Sequence, residues 1–473
     1  MPLILGTNSI KDTGFNVANS LRFDDDSSDY LTRTPSSTTN RRTFTISFWI
    51  KTSTAGGTIF STGDYGAGDG FFNVRLSSSG RLVLDDYDQG GESYNVRWVT
   101  PGTTVFRDPS AWYHMVISID STQATLSDRV NFYLNGENID SLFTDNASGT
   151  PSQNSDFHVN YNKVHQIGRD QNNTDYFDGY IAEFVMIDGQ ALDPTSFGEF
   201  DEDTGIWKPI DVSELTFGTN GFYLDFENSG SLGADVSGNG NNFTVNNLTS
   251  VDQTTDTCTN NFATLNGVYK LDSITLSNGN LSSANTTGTW YHAPATIGAS
   301  QGKWYCEIKS DNMASGYTLN GIMDMEVAVS NGVNSLTHTA NTSDGYGYYS
   351  ANGNSYTNAT GTSYGASLTT GDILQIAMDL DNNYVYFGKN GTWQNSGDPT
   401  SGATGTGGIS ITSGKTYTFA VANYNSATQS INFGSPPFTI SSGNSDGNGY
   451  GNFEYAVPSG YYALNTKNLA EYG

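Results

Sequence analysis

The 473 residues carry 20 basic and 48 acidic side chains. The resulting net charge of −28 argues against nucleic acid and against anionic membrane surfaces, which are both held through Lys and Arg. Charged residues are only 14% of the chain, where about 25% is ordinary; with 54 Gly and 13% aromatics, this describes a folded chain with a polar, uncharged surface and few good helix formers.

In chain order, residues 1–13 read as a short N-terminal arm without the basic and apolar regions of a secretory signal. In Thr43–Lys51, Phe44, Ile46, Phe48 and Ile50 fall on one face and Thr45, Ser47, Trp49 and Lys51 on the other. That alternation predicts a half-buried antiparallel strand. Phe72, Val74 and Leu76 lead into a Ser79-Gly80 turn, and Leu82 and Leu84 lead away from it. Val130, Phe132 and Leu134 run into Asn135-Gly136, a strong hairpin signal. Residues 201–265 break this rhythm with acidic and turn-rich sequence, so they read as an irregular connector. Beyond it, Leu374, Ile376, Met378 and Leu380 alternate up to Asp381-Asn382-Asn383, and Val385 and Phe387 continue to Asn390-Gly391. Short strands with turns this frequent predict sandwiches, not βαβ units. The expectation is all-β, with two antiparallel β-sandwich (jelly-roll) domains at 14–200 and 266–473. No apolar run reaches the roughly 20 residues that span a bilayer. Cys258 and Cys306 are too few for a disulfide framework.

Four segments of the first domain resemble laminin-G-like (concanavalin A-like) jelly rolls: Phe44-Thr-Ile-Ser-Phe-Trp-Ile50, Trp112-Tyr-His-Met-Val116, Asn131-Phe-Tyr-Leu-Asn-Gly136 and Tyr176-Phe-Asp-Gly-Tyr-Ile-Ala-Glu-Phe184. Residues 266–473 are similar to SPRY domains through Gly302-Lys-Trp-Tyr-Cys-Glu-Ile308, Gly371-Asp-Ile-Leu-Gln-Ile-Ala-Met-Asp-Leu380, Tyr386-Phe-Gly-Lys-Asn-Gly391 and Ile431-Asn-Phe-Gly-Ser-Pro-Pro-Phe438. Thr204-Gly-Ile-Trp-Lys-Pro209, Asp235-Val-Ser-Gly-Asn-Gly-Asn-Asn-Phe243 and Thr257-Cys-Thr-Asn-Asn-Phe262 resemble connectors in structural proteins of tailed bacteriophages. That resemblance implies a virion appendage (a tail or head fibre, or a decoration protein) assembled in the host cytoplasm with free thiols. It also implies other virion proteins as partners and a homo-oligomer, with a trimer favoured.

Candidate chemistry is sparse. Glu199-Phe-Asp-Glu-Asp203 is the nearest approach to the carboxylate array of the glucanases that share the first fold, but it lacks the final Glu and follows the Asp193-Pro194 turn. Asp324-Met-Glu326 alternates with Met323, Met325, Val327 and Val329 and reads as the outward side of a strand. Gly414-Lys-Thr416 has no glycine where a phosphate loop needs one and precedes a strand-like run. The five histidines are scattered, and His114 reads as a satisfied strand residue. The laminin-G-like resemblance implies calcium at a loop rim. Asp85, Asp86 and Asp88 read as the compact loop cluster for it; Asp24-Asp-Asp26 with Asp29, and Asp175 with Asp178, are the others, and solvated loops are the competing reading. For ligand binding, Tyr346, Tyr348, Tyr349, Tyr356 and Tyr364 have the Tyr/Gly/Ser/Asn setting of adaptable binding surfaces. Trp393 and Trp290-Tyr291-His292 join them, against the reading that this stretch includes core strands. The expectation is a non-catalytic virion protein that binds a host-surface glycan or protein, with capsid decoration as the alternative and a polysaccharide depolymerase ranked last.

Overall fold

The computed structural model describes residues 14–63, 68–104, 106, 108–143, 149–270, 273–330, 340 and 342–473. The N-terminal arm and His338 lie outside the described residues. Two compact units divide at Thr259/Asn260, and each is taken in turn.

The first unit, Thr13–Thr259, contains β1 (Ser20–Phe23), β2 (Tyr30–Arg33), β3 (Thr43–Thr52), β4 (Gly57–Gly63), β5 (Phe71–Leu76) and β6 (Leu82–Asp88). There follow β7 (Ser93–Val99), β8 (Trp112–Asp120), β9 (Val130–Leu134), β10 (Glu137–Asn138), β11 (His165–Ile167) and β12 (Gly179–Asp188). The last five are β13 (Gly198–Phe200), β14 (Trp207–Pro209), β15 (Phe222–Leu224), β16 (Thr244–Asn246) and β17 (Gln253–Thr254). One antiparallel sheet runs β10-β9-β8-β3-β12-β1-β17, with β15 also on β12, and the other runs β16-β2-β11-β4-β5-β6-β7. Phe44, Ile46, Phe48 and Ile50 meet Phe72, Val74, Leu82 and Leu84 in one core, as the period-2 pattern predicts. The Asn135-Gly136 turn takes positive φ at both residues (48° and 82°), the primed geometry whose twist matches the flanking strands.

Two expectations are corrected. Residues 201–259 are not an irregular connector: β15, β16 and β17 pair with β12, β2 and β1, and Phe243 enters the core. Asp235 organises the turn cluster, its carboxylate accepting from the backbone N–H groups of Tyr223, Ser237 and Asn241. Nor is β3 half-buried. Its second face is covered along its length: Thr45 is bridged by the Gln190 carbonyl and the Leu192 N–H, Ser47 meets His114, and Trp49 packs with Val17, Ala182 and Trp207, so Trp49 is buried too.

The second unit, Asn260–Gly473, contains β18 (Thr275–Ser277), β19 (Ser282–Ala284), β20 (Tyr291–Pro294), β21 (Lys303–Asn312), β22 (Tyr317–Asp324), α1 (Met325–Ser330), β23 (Gly345–Tyr349) and β24 (Ser355–Thr357). Next come β25 (Thr360–Thr362), β26 (Ile373–Asp379), β27 (Tyr384–Lys389), β28 (Thr392–Trp393) and β29 (Ile409–Ser410). The unit ends with β30 (Tyr417–Tyr424), β31 (Thr428–Asn432), β32 (Tyr462–Ala463) and α2 (Thr466–Tyr472). One sheet runs β18-β19-β31-β21-β26-β27-β28, with β29 on β27 and β32 parallel to β21; the other runs β20-β30-β22-β23-β24-β25. Trp304, Ile308, Leu374, Ile376, Met378, Phe387 and Phe419 fill the space between them. The Met323–Val329 alternation does not continue as a strand. β22 stops at Asp324, whose carboxylate accepts from the backbone N–H of Glu326 (3.1 Å) and receives Lys415 Nζ (2.9 Å), and α1 begins at Met325. Strand β30 follows Gly414-Lys415-Thr416, so no helix is there to carry a phosphate loop.

Candidate functional site

The outer face of the six-stranded sheet carries a run of aromatic rings. Tyr346 and Tyr348 of β23 point inward, so Tyr349 points out. In β30, Tyr417, Phe419 and Val421 are core residues, which places Tyr424 on the outer side. Tyr317 is its register partner on β22, and Trp290 precedes the β20 strand that pairs with β30. The rings then touch in sequence. Trp290 lies 5.3 Å from Tyr424 and 5.9 Å from Tyr349, and Tyr317 lies 6.2 Å from Tyr424 and 5.8 Å from Tyr349. Tyr356 closes the row at 5.5 Å from Tyr349.

Glycines make the row possible. A Cβ on Gly361 would stand 2.6 Å from the Tyr356 ring, so only the bare backbone of β25 lets that ring lie down on it. A Cβ on Gly316 would meet the Tyr424 and Asn425 carbonyls at 2.3 Å; glycine there lets Tyr317 approach Tyr424. Asn425 donates from Nδ2 to the Ser315 carbonyl (2.6 Å), fixing the same corner. The rings are half-buried, and Tyr317 is 43% exposed. Burial first, then the neighbouring phenols of Tyr317, Tyr356 and Tyr424, push the Tyr349 hydroxyl above its ordinary range, so it remains a donor. The strands and turns 285–293, 313–320, 345–362 and 420–428 contain no Lys, Arg, Asp or Glu. The surface is flat, aromatic and uncharged, rimmed by Asn, Ser and Thr.

Of the residues expected to bind ligand, Tyr349 and Tyr356 belong to this platform. Tyr346, Tyr348 and Tyr364 do not: they are core side chains, and their hydroxyls are bound to Thr412, the Ala366 carbonyl and the Gly407 carbonyl. Trp393 packs on the other sheet, beside Tyr384, Tyr386 and Tyr450. Trp290 joins the platform while His292 is buried. Tyr317 and Tyr424 carried no signal in the sequence, because only strand register brings them together.

Asp85, Asp86 and Asp88 are corrected from a loop to strand β6. Alternation sends Asp85 and Asp86 to opposite faces, and each is engaged. Asp85 faces Arg75 and Arg97. Asp86 accepts from the backbone N–H of His158 (2.8 Å) and from Asn95 Nδ2 (2.8 Å), and Asp88 accepts from the backbone N–H of Gly90 (3.0 Å). They do not converge on one ion. Among the described residues, Asp24, Asp25 and Asp26 do bring carboxylate oxygens within 4.8 Å of one another, with Asp25 and Asp26 exposed. Oxygen donors suit calcium, yet an exposed acidic turn is also what solvation alone produces.

Glu199 on β13 and Asp201 just after it share Lys208 of β14, whose Nζ lies 3.4 Å from Glu199 and 3.3 Å from Asp201. A small recess nearby is lined by Ser47, Trp49, His114, Glu183, Phe197 and Val212, among others. Ser47 Oγ lies 2.9 Å from His114 Nε2, a serine–histidine contact. The Trp207 indole donates to His114 Nδ1 (2.9 Å). Indole is a donor only, so the neutral ring carries its proton on Nε2 and donates to Ser47. Burial holds His114 down at about 3. A base would need the opposite tautomer. Glu183 occupies the β-bulge between Ala182 and Val185 at φ 51°, accepts from Tyr223 Oη at 2.5 Å, and is raised by burial to about 8.

Comparison with known proteins follows this division. Residues 25–196 match the concanavalin A-like lectin/glucanases superfamily, and residues 303–433 match the SPRY domain. Among solved structures, the SPRY domain of human HERC1 is 19% identical, with 35% of this chain and 96% of that chain covered at a TM-score of 0.27. A second human SPRY domain is 13% identical, with 34% and 94% covered at a TM-score of 0.24. No curated protein matches the chain.

Proposed function

We propose that this chain, a concanavalin A-like domain followed by a SPRY domain, is a glycan-binding component of a tailed-phage virion appendage. The observation that carries the binding reading is the contiguous platform of Trp290, Tyr317, Tyr349, Tyr356 and Tyr424 on a sheet face without charged side chains. Aromatic faces accept the apolar side of a sugar ring while Tyr hydroxyls and the Asn-rich rim serve its hydroxyls. The rings are prepositioned by packing against one another, so little side-chain entropy is lost on binding. The lack of charge favours a neutral sugar. The virion reading rests on the phage-like segments at 204–209, 235–243 and 257–262. A trimer would raise weak single-site affinity through multivalency.

The test is a glycan array with the full chain, wild type beside Trp290→Ala and Tyr349→Ala. Removing an anchoring aromatic typically costs about 2 kcal/mol, about thirtyfold in affinity. Saturable binding that falls by this factor in both variants supports the proposal. Silence of the folded wild type, or binding indifferent to both changes, overturns it; silence with labelling across the capsid shell of virions would favour the decoration role.

A further inference from the structure

A second polar surface lies on the first unit and owes nothing to the aromatic platform. On the outer face of the seven-stranded sheet, register aligns Thr32, Gln166, Ser61, Asn73, Asp85 and Arg97 in one row across β2, β11, β4, β5, β6 and β7. Direct register partners share a face, so these side chains project together.

Half of the row is closed by residues 169–171. Ser61 Oγ donates to the Arg169 carbonyl (2.8 Å), Gln166 Nε2 to the Asp170 carbonyl (3.2 Å), and Asn73 Nδ2 to Gln171 Oε1 (3.5 Å). The other half is not satisfied. Asn73 Oδ1, Asp85 Oδ1 and Arg97 Nε are buried atoms with no hydrogen-bond partner among the described residues, and Asn73 and Asp85 are each 4% exposed. Buried polar atoms in native proteins are paired, so such a cluster calls for an occupant. Arg75 Nη2 stands 3.7 Å from Asp85 Oδ2 and Arg97 Nε 3.8 Å from Asp85 Oδ1, attractive but beyond hydrogen-bond length. Both guanidinium groups reach solvent, at 26% and 32% side-chain exposure. Arg97 is aimed by Tyr94, stacking 4.9 Å from its ring and donating to its hydroxyl (2.6 Å).

We propose that Asn73, Asp85, Arg75 and Arg97 form a binding site for a carboxylate-bearing sugar residue. The planar guanidinium forks take the sugar carboxylate. Asn73 Oδ1 and Asp85 Oδ1, both acceptors, take ring hydroxyl protons. Two guanidinium groups against one carboxylate leave a local positive charge on a chain of −28, so an acidic sugar is drawn here and not to acidic surfaces elsewhere. The same two arginines make the site hostile to calcium, the chemistry for which Asp85 stood out in the sequence.

The experiment is titration calorimetry of the full chain with trigalacturonate, the neutral trigalactoside and acetate. Wild type is expected to bind trigalacturonate about tenfold or more tighter than either of the others, a difference of about 1.4 kcal/mol. Arg97→Gln is expected to abolish that preference. If Arg97→Gln unfolds, Arg75→Gln gives the same reading from the neighbouring guanidinium group. No preference in the folded wild type, or a preference unchanged in folded Arg75→Gln, overturns the site and leaves the unpaired atoms to water.

Discussion

Lys51 and Asp256 are 205 positions apart, yet Lys51 Nζ lies 2.8 Å from Asp256 Oδ2 with both side chains 1% exposed. Trp112 Nε1 approaches the other carboxylate oxygen at 3.3 Å. Arg22, fully buried, similarly reaches Asp252 at 3.2 Å. Two basic residues of the N-terminal strands thus take their countercharges from the last turn of the first unit, and the sandwich is incomplete without residues 201–259. Breaking a buried pair from one side leaves an uncompensated charge. Asp256→Ala is therefore expected to lose about 3–5 kcal/mol in denaturant unfolding, and Lys51→Met with Asp256→Leu to recover most of it. A fragment ending at residue 200 is expected to lack a cooperative transition that 13–259 retains; equal stability of the two fragments would refute this account of the boundary.

The platform and the core divide the tyrosines that the sequence grouped together, and stability separates them. Tyr348 is fully buried between the sheets, where truncation of an aromatic costs about 3–5 kcal/mol. Tyr348→Ala is expected to lower the unfolding midpoint strongly, whereas Tyr349→Ala, on the outer face, is expected to cost about 1 kcal/mol or less while losing glycan affinity. If Tyr348→Ala were stable and Tyr349→Ala were not, the facing of β23 would be reversed.

Much of this fold is legible in the sequence because strand period is local. Phe44 through Ile50, the Asn135-Gly136 and Asn390-Gly391 turns and the Leu374–Leu380 alternation all give the elements found. What stayed hidden is non-local. Nothing in Tyr317 or Tyr424 announces that β22 and β30 pair there. The run Gly345–Tyr356 reads as tyrosine-rich whichever of its faces meets solvent. Asp85-Asp86-Tyr87-Asp88 looks like a loop because Asp is rare in strands; here Arg75, Arg97 and His158, supplied by other elements, make it tolerable. The connector reading failed for the same reason: Asp235 and the glycines around it form an ordered turn only against β15.

Glu183 gives the first unit a pH dependence whose sign is opposite to ordinary carboxylates. Its folded value, about 8, lies above its ordinary 4.5 through burial, with a smaller lowering by Tyr223. Between these values the folded state holds a proton that the unfolded chain has released, so stability falls as pH rises from about 4.5 to 8. The loss is on the order of a few kcal/mol, at about 1.4 kcal/mol for each unit. Glu183→Gln keeps the shape and removes the proton. Relative to wild type it is expected to gain stability at pH 8 over pH 5, read as the difference in unfolding free energy between the two. A parallel pH profile for the two proteins would show that Glu183 is ionised in the fold.

His114 acts in the acid range. Its folded value, lowered by burial to about 3 from 6.5, means that below about pH 6.5 the unfolded chain takes up a proton that the native ring refuses. Its contribution to stability is thus complete above pH 6.5 and falls as pH drops toward 3, by about 2 kcal/mol at pH 5. His114→Gln, which can still accept from Trp207 and donate to Ser47, is expected to flatten that limb. The same tautomer decides the reactivity of Ser47. With Nε2–H donating to Oγ, the hydroxyl has no base to take its proton, so a fluorophosphonate probe is expected to leave Ser47 unlabelled at pH 7 in wild type and in His114→Gln alike. Labelling of Ser47 that disappears in His114→Gln would mean that the imidazole turns to free Nε2, and that the recess beside Trp49 and Glu183 supports nucleophilic chemistry.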